Sequence, residues 1–135
     1  QGPSKESVFL IVDDEVNSIF STARVLLGIP NVKIKVLHYT NEKWRLSDDE
    51  KAKELKRVAE QALELSPDVV LMDQGLGSIE GSELVVAIRE EADLPPTFVA
   101  NTGGSPDDLN SVGCLTNFNK GRGEKYGIRQ AIRRL

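Results

Sequence analysis

The chain has 135 residues but only one cysteine, one histidine and one tryptophan. A lone Cys114 cannot form an internal disulfide framework, and it fits a reducing, cytoplasmic compartment. His38 stands alone near a strand end, which argues against a metal or phosphotransfer role for it. No apolar run approaches the roughly 20 residues of a membrane span. An excess of basic charge is also missing. The formal charge is −4 and the isoelectric point is near 5.1, which argues against direct nucleic-acid binding. Internal repeats, low-complexity tracts and interdomain linkers are absent too. The start is polar, so no signal peptide is expected. Gln1-Gly2-Pro3 reads as an expression remnant, so residues 1–6 are expected to be a disordered tail and 7–135 a single domain.

What is present is a regular alternation. Val8–Val12 and Val69–Met72 are short, continuous apolar runs, the pattern of strands buried on both faces. Val32, Ile34 and Val36 alternate with Lys33 and Lys35, which predicts a strand with one wetter face at a sheet edge. Thr97–Asn101 and about Leu115–Asn119 are further strands. Helices are predicted from Val16 to about Leu27, over 48–65, over 81–91 and over 124–134. Ser47 or Asp48 is the expected N-cap of the second helix, with Glu50 nearby. Strict β-α alternation predicts a parallel sheet covered by helices on both faces.

The carboxyl ends of such strands are where open α/β sheets bind ligands. Past the first strand lie Asp13 and Asp14, and past the third Asp73. Thr102 follows the fourth and Lys120 the fifth. Three carboxylates in a small space suit a hard divalent ion such as Mg2+. A carboxylate can also act as a nucleophile and become an acyl phosphate. Transfer of a phosphoryl group then needs its oxygens neutralised. The ordinary alternative is that the three acids cap helix N-termini, with Thr102 a loop hydroxyl and Lys120 a solvated lysine.

The segments "FLIVDDE", "VVLMDQGLGSIEGSEL", "FVANTGG" and "FNKG" resemble the receiver domain of two-component response regulators, over about residues 7–135. That resemblance implies a five-stranded, flavodoxin-like, doubly wound sheet of order 2-1-3-4-5. It implies Asp73 as the phosphoryl acceptor, with Asp13, Asp14, Asp73 and the main-chain carbonyl of Gly75 holding Mg2+. Thr102 would be the switch hydroxyl, and Lys120 would pair with the phosphoryl group. Such a domain is not a dedicated enzyme, although it catalyses its own phosphorylation and dephosphorylation. Its implied partners are a histidine kinase or histidine phosphotransfer protein and a downstream protein target or effector domain, with neither nucleic acid nor membrane contacted directly.

Four features depart from the pattern. Gly121 follows Lys120 where proline is usual, and Asn117 stands where a switch aromatic is usual. Lys120 lies only 18 positions after Thr102, which leaves about one or two turns for the fourth helix. Residues 40–49 look inserted, and they carry Trp44, which either packs beneath its own loop or contacts a partner. The missing proline and the missing switch aromatic motivate a second reading, a constitutive receiver-like binding module without a phosphorylation cycle. A hydrolase built on an aspartyl-phosphate fits less well, because its acids are spaced Asp-x-Asp and here they are adjacent.

Overall fold

The structure, a computed structural model, describes residues 6–115 and Arg133. The expected fifth strand beyond Leu115, the last helix apart from Arg133, and the positions Asn117, Lys120 and Gly121 lie outside the described residues.

Strand β1 (Ser7–Asp13) is the centre of the architecture. It pairs in parallel with β2 (Val32–His38) on one side and with β3 (Val69–Met72) on the other. Strand β4 (Thr97–Ala100) pairs in parallel with β3. The described sheet therefore runs β2-β1-β3-β4, in agreement with the first four positions of the expected order. Side chains alternate across it, as a period of two requires. Phe9, Ile11, Val69, Leu71 and Val99 face Ile19 and Leu26 of helix α1 (Val16–Leu26). Leu10, Val12, Val70, Met72, Phe98 and Ala100 face the other way. There they meet Val58, Ala59 and Ala62 of α2 (Asp48–Glu64) and Leu84, Val85 and Ile88 of α3 (Gly81–Glu91). Most of these side chains are fully buried, each worth about 1.5–3 kcal/mol for a large aliphatic or aromatic group.

Local chemistry sets where the elements begin and end. Ser47 caps α2 in a reciprocal box: Glu50 N–H donates to Ser47 Oγ at 3.2 Å and Ser47 N–H to Glu50 Oε1 at 3.0 Å, satisfying two otherwise orphaned donors. At the other end Lys35 Nζ reaches from β2 to the Leu65 carbonyl at 2.7 Å. Helix α4 (Asp107–Ser111) has five residues, the short element expected from the spacing. Arg89 of α3 holds its exit, donating to the Val112 carbonyl with its guanidinium 4.9 Å from the Phe98 ring centroid. Gly113 then turns the chain at φ +92°, a left-handed conformation that favours glycine. The chain arrives at Leu115, which forms a parallel bridge with Val99 beside β4. Cys114 is buried as expected, and burial pushes its thiol up to about 12.

Candidate functional site

Parallel strands bring their carboxyl ends to one edge, and the acids sit there. Asp13 ends β1, Asp14 opens the following turn, and Asp73 follows β3. One carboxylate oxygen from each lies within 4.8 Å of the others. Ionised carboxylates at that spacing repel by about 3 kcal/mol per pair at an effective dielectric constant near 20. Asp13 is fully buried, Asp73 nearly so, and Asp14 is exposed. The group therefore opens to solvent on one side. Thr102 is buried two residues beyond the end of β4, on the same edge. Lys120 lies outside the described residues.

The backbone around these acids is fixed by bonds that the sequence did not advertise. Asp13 Oδ1 accepts from Glu15 N–H at 3.0 Å, so the same carboxylate also serves the turn into α1. The Asp13 carbonyl accepts from Tyr39 N–H at 2.9 Å. His38 Nε2 lies 3.1 Å from the Asp14 carbonyl. Behind Asp73 the packing is closer still. A Cβ on Gly81 would stand 2.0 Å from the Asp73 carbonyl oxygen, so only glycine allows α3 to start there. Gln74 closes this joint: its Oε1 accepts from Ser82 N–H at 2.9 Å and its Nε2 donates to Ser82 Oγ at 3.1 Å. Asn101, fully buried before Thr102, donates from Nδ2 to Thr22 Oγ1 of α1 at 3.1 Å. Its N–H donates to the Met72 carbonyl at 2.9 Å.

No family model matches the chain, and no curated protein does either. Solved structures match along nearly its whole length. The receiver domain from Methylobacillus flagellatus superposes with a TM-score of 0.68 at 18% identity, covering 95% of this chain and 99% of that one. The response regulator domain of Thermotoga maritima CheB gives 0.63 at 19% identity, over 96% and 90%. The chain has the receiver-domain fold. A further receiver domain, that of the Arabidopsis thaliana histidine kinase CKI1 complexed with Mg2+ and BeF3-, matches with a TM-score of 0.61 at 16% identity, over 95% and 88%.

On this receiver fold the donor set fits a small hard cation. Mg2+ takes oxygen ligands, often from one or two carboxylates, and keeps several waters. Asp13, Asp14 and Asp73 offer oxygens at one point. Gly75 follows two residues later, bridged to Glu80 across the loop, and no atom lies within 4 Å of where its Cβ would be. Gly75 is exposed.

A second polar cluster stands beside the acids, and sequence reasoning missed it. Tyr39, buried at the end of β2, donates its hydroxyl to Glu54 Oε2 of α2 at 2.6 Å. The Tyr39 hydroxyl oxygen also lies 2.7 Å from Ser78 Oγ in the loop between β3 and α3. Asn41 Nδ2 donates to Glu54 Oε2 at 2.8 Å, and Arg57 Nε donates to Glu54 Oε1 at 2.8 Å. The Arg57 guanidinium is the main cause that holds the Glu54 carboxyl at about 2; burial opposes it, and the bonds from Tyr39 and Asn41 assist. Burial, then the Glu54 carboxylate, raises the Tyr39 phenol above its ordinary value. The one sequence signal was a large polar aromatic set just after a strand in a chain with few aromatics. Trp44, by contrast, is 82% exposed and does not pack beneath its loop. It lines a cleft of about 220 Å³ with Asp14, Tyr39, Lys43, Leu76 and Ser78.

Proposed function

We propose that residues 7–135 form a phosphorylation-dependent signalling switch, which accepts a phosphoryl group from a phosphohistidine donor onto Asp73. The convergence of three carboxylates within 4.8 Å at the carboxyl edge of a receiver fold carries this reading. An Asp73 carboxylate oxygen attacks the phosphorus of the donor. The P–O bond forms as the P–N bond breaks, and the electron pair returns to the imidazole. That ring leaves neutral, its other nitrogen keeping its proton. Asp13, Asp14, Asp73 and the Gly75 carbonyl would hold Mg2+, which would supply positive charge against the phosphoryl oxygens. Thr102 donates its hydroxyl to one phosphoryl oxygen, and Lys120 pairs with another. The donor is a histidine kinase or histidine phosphotransfer protein, and the output is a protein-protein contact whose population shifts on phosphorylation.

The test is chemical. The protein is incubated with a small phosphodonor and Mg2+, and the modified residue is located by mass spectrometry. One phosphoryl group on Asp73 is expected, absent in Asp73→Asn and absent in EDTA. A wild-type chain that stays unmodified, or an Asp73→Asn variant modified as fully, refutes the assignment. Asn117 in place of a switch aromatic and Gly121 in place of proline favour a second reading, a constitutive binding module without a phosphorylation cycle. That reading gains if beryllofluoride leaves partner affinity unchanged.

A further inference from the structure

The Tyr39 hydroxyl joins segments that are distant in sequence but adjacent in the site. Its backbone N–H holds the Asp13 carbonyl at 2.9 Å, so the residue is docked on the turn carrying Asp13 and Asp14. Its hydroxyl holds Ser78, three residues beyond Gly75, in the loop that follows Asp73. Glu54 fixes the position of that hydroxyl from the far side, and α2 in turn fixes Glu54. Within itself the loop is closed by the Gly75–Glu80 bridge and the Gln74–Ser82 bonds, and against the core it is anchored by two apolar side chains, Leu76 and Ile79, both almost fully buried. Those apolar contacts set its depth in the core. They are not directional, and a hydrogen bond is. Among the described residues, Tyr39–Ser78 is a directional side-chain bond that ties the loop to the segment docked on the acidic turn.

We propose that Tyr39 is a positioning residue, which holds the 75–78 loop against the Asp13–Asp14 turn and thereby sets the affinity of the acidic edge for a divalent cation. The proposal rests on the reading of that edge as a cation site. Tyr39 touches no reacting atom; it acts through Ser78 and the loop peptide. Removing its hydroxyl leaves the ring in the core and the backbone bond to Asp13 intact, so the carboxylates stay while the loop loses this tie.

The experiment is a calorimetric Mg2+ titration of the full chain, with hydrogen exchange of the 75–80 amides followed without metal. Tyr39→Phe and Ser78→Ala are each expected to raise the Mg2+ dissociation constant roughly three- to tenfold, the effect of losing one hydrogen bond. Both should speed exchange of the 75–80 amides. The double variant should bind no more weakly than the weaker single, because both remove the same bond. Should one single fail to fold, the other carries the measurement. Dissociation constants within twofold of wild type, with unchanged exchange, overturn the proposal and leave the receiver reading standing, even where thermal stability falls. A wild-type chain that binds no Mg2+ overturns the cation site and this proposal together. Binding of Mg2+ without phosphorylation of Asp73 overturns only the switch.

Discussion

Replacing Gly81 by alanine sets two physical effects against each other. Helix propensity alone favours the change, since alanine in a helix is better than glycine by roughly 0.5–1 kcal/mol. The packing opposes it. The new Cβ would lie 2.0 Å from the Asp73 carbonyl oxygen and 2.9 Å from the Asp73 carbonyl carbon. Both are backbone atoms, so no rotamer change relieves the clash. Start of α3 and end of β3 must separate by about 1 Å, a displacement of the kind for which overpacked cores lose about 1–3 kcal/mol or more. The net expectation is a loss of about 1–2 kcal/mol, read as a lower denaturation midpoint with an unchanged m-value. Because Asp73 is the residue displaced, Mg2+ affinity should fall in the same variant. Gly104→Ala is the control: nothing lies within 4 Å of its Cβ position, and a change within about 0.5 kcal/mol is expected. A Gly81→Ala protein as stable as wild type, or more stable, refutes the close-approach argument.

Two further outcomes are expected. The Glu54 carboxyl titrates at about 2 when folded, against an ordinary 4.5. A depressed value means that the stabilisation is complete above about pH 4.5 and is lost as pH falls toward 2. After discounting for partial solvent screening, about 1–2 kcal/mol of acid sensitivity should disappear in Glu54→Gln, measured by denaturation at pH 3 and pH 7; an identical acid profile would contradict the network. Trp44→Ala should change stability by less than about 0.5 kcal/mol, because the side chain is 82% exposed. A larger loss in thermal melts would mean that the indole supports its loop after all.

The strands were legible because burial on both faces leaves a mark no single-faced strand leaves. Val8–Val12 and Val69–Met72 carry no polar interruption, and their last apolar residues locate the edge. Asp13, Asp14, Asp73 and Thr102 followed from that edge by counting. The wetter second strand was legible from its lysines, and the short α4 from the spacing between Thr102 and Lys120. Side-chain bonds across the fold were not legible. Tyr39 reaches 15 residues to Glu54 and 39 to Ser78, and Asn101 reaches 79 back to Thr22. No local periodicity encodes such pairs; they exist only once the sheet has set the register. Gly81 was read as the start of a helix, whereas its function is the missing methyl. That need depends on how closely two backbones approach, a distance absent from the residue pattern.

Strand β2 has a consequence for the behaviour of the protein at high concentration. As the outer strand of the described sheet, it presents backbone donors and acceptors to any extended chain that drifts alongside. An unguarded outer strand is a template for cross-chain pairing and fibre growth. Here Lys33 and Lys35 interrupt the apolar residues, and the Lys35 ammonium is spent on the end of α2. A second copy docking in register would set lysine against lysine at each of these positions, where like charges repel. The same two residues that marked the strand as an outer one thus discourage it from acquiring a neighbour.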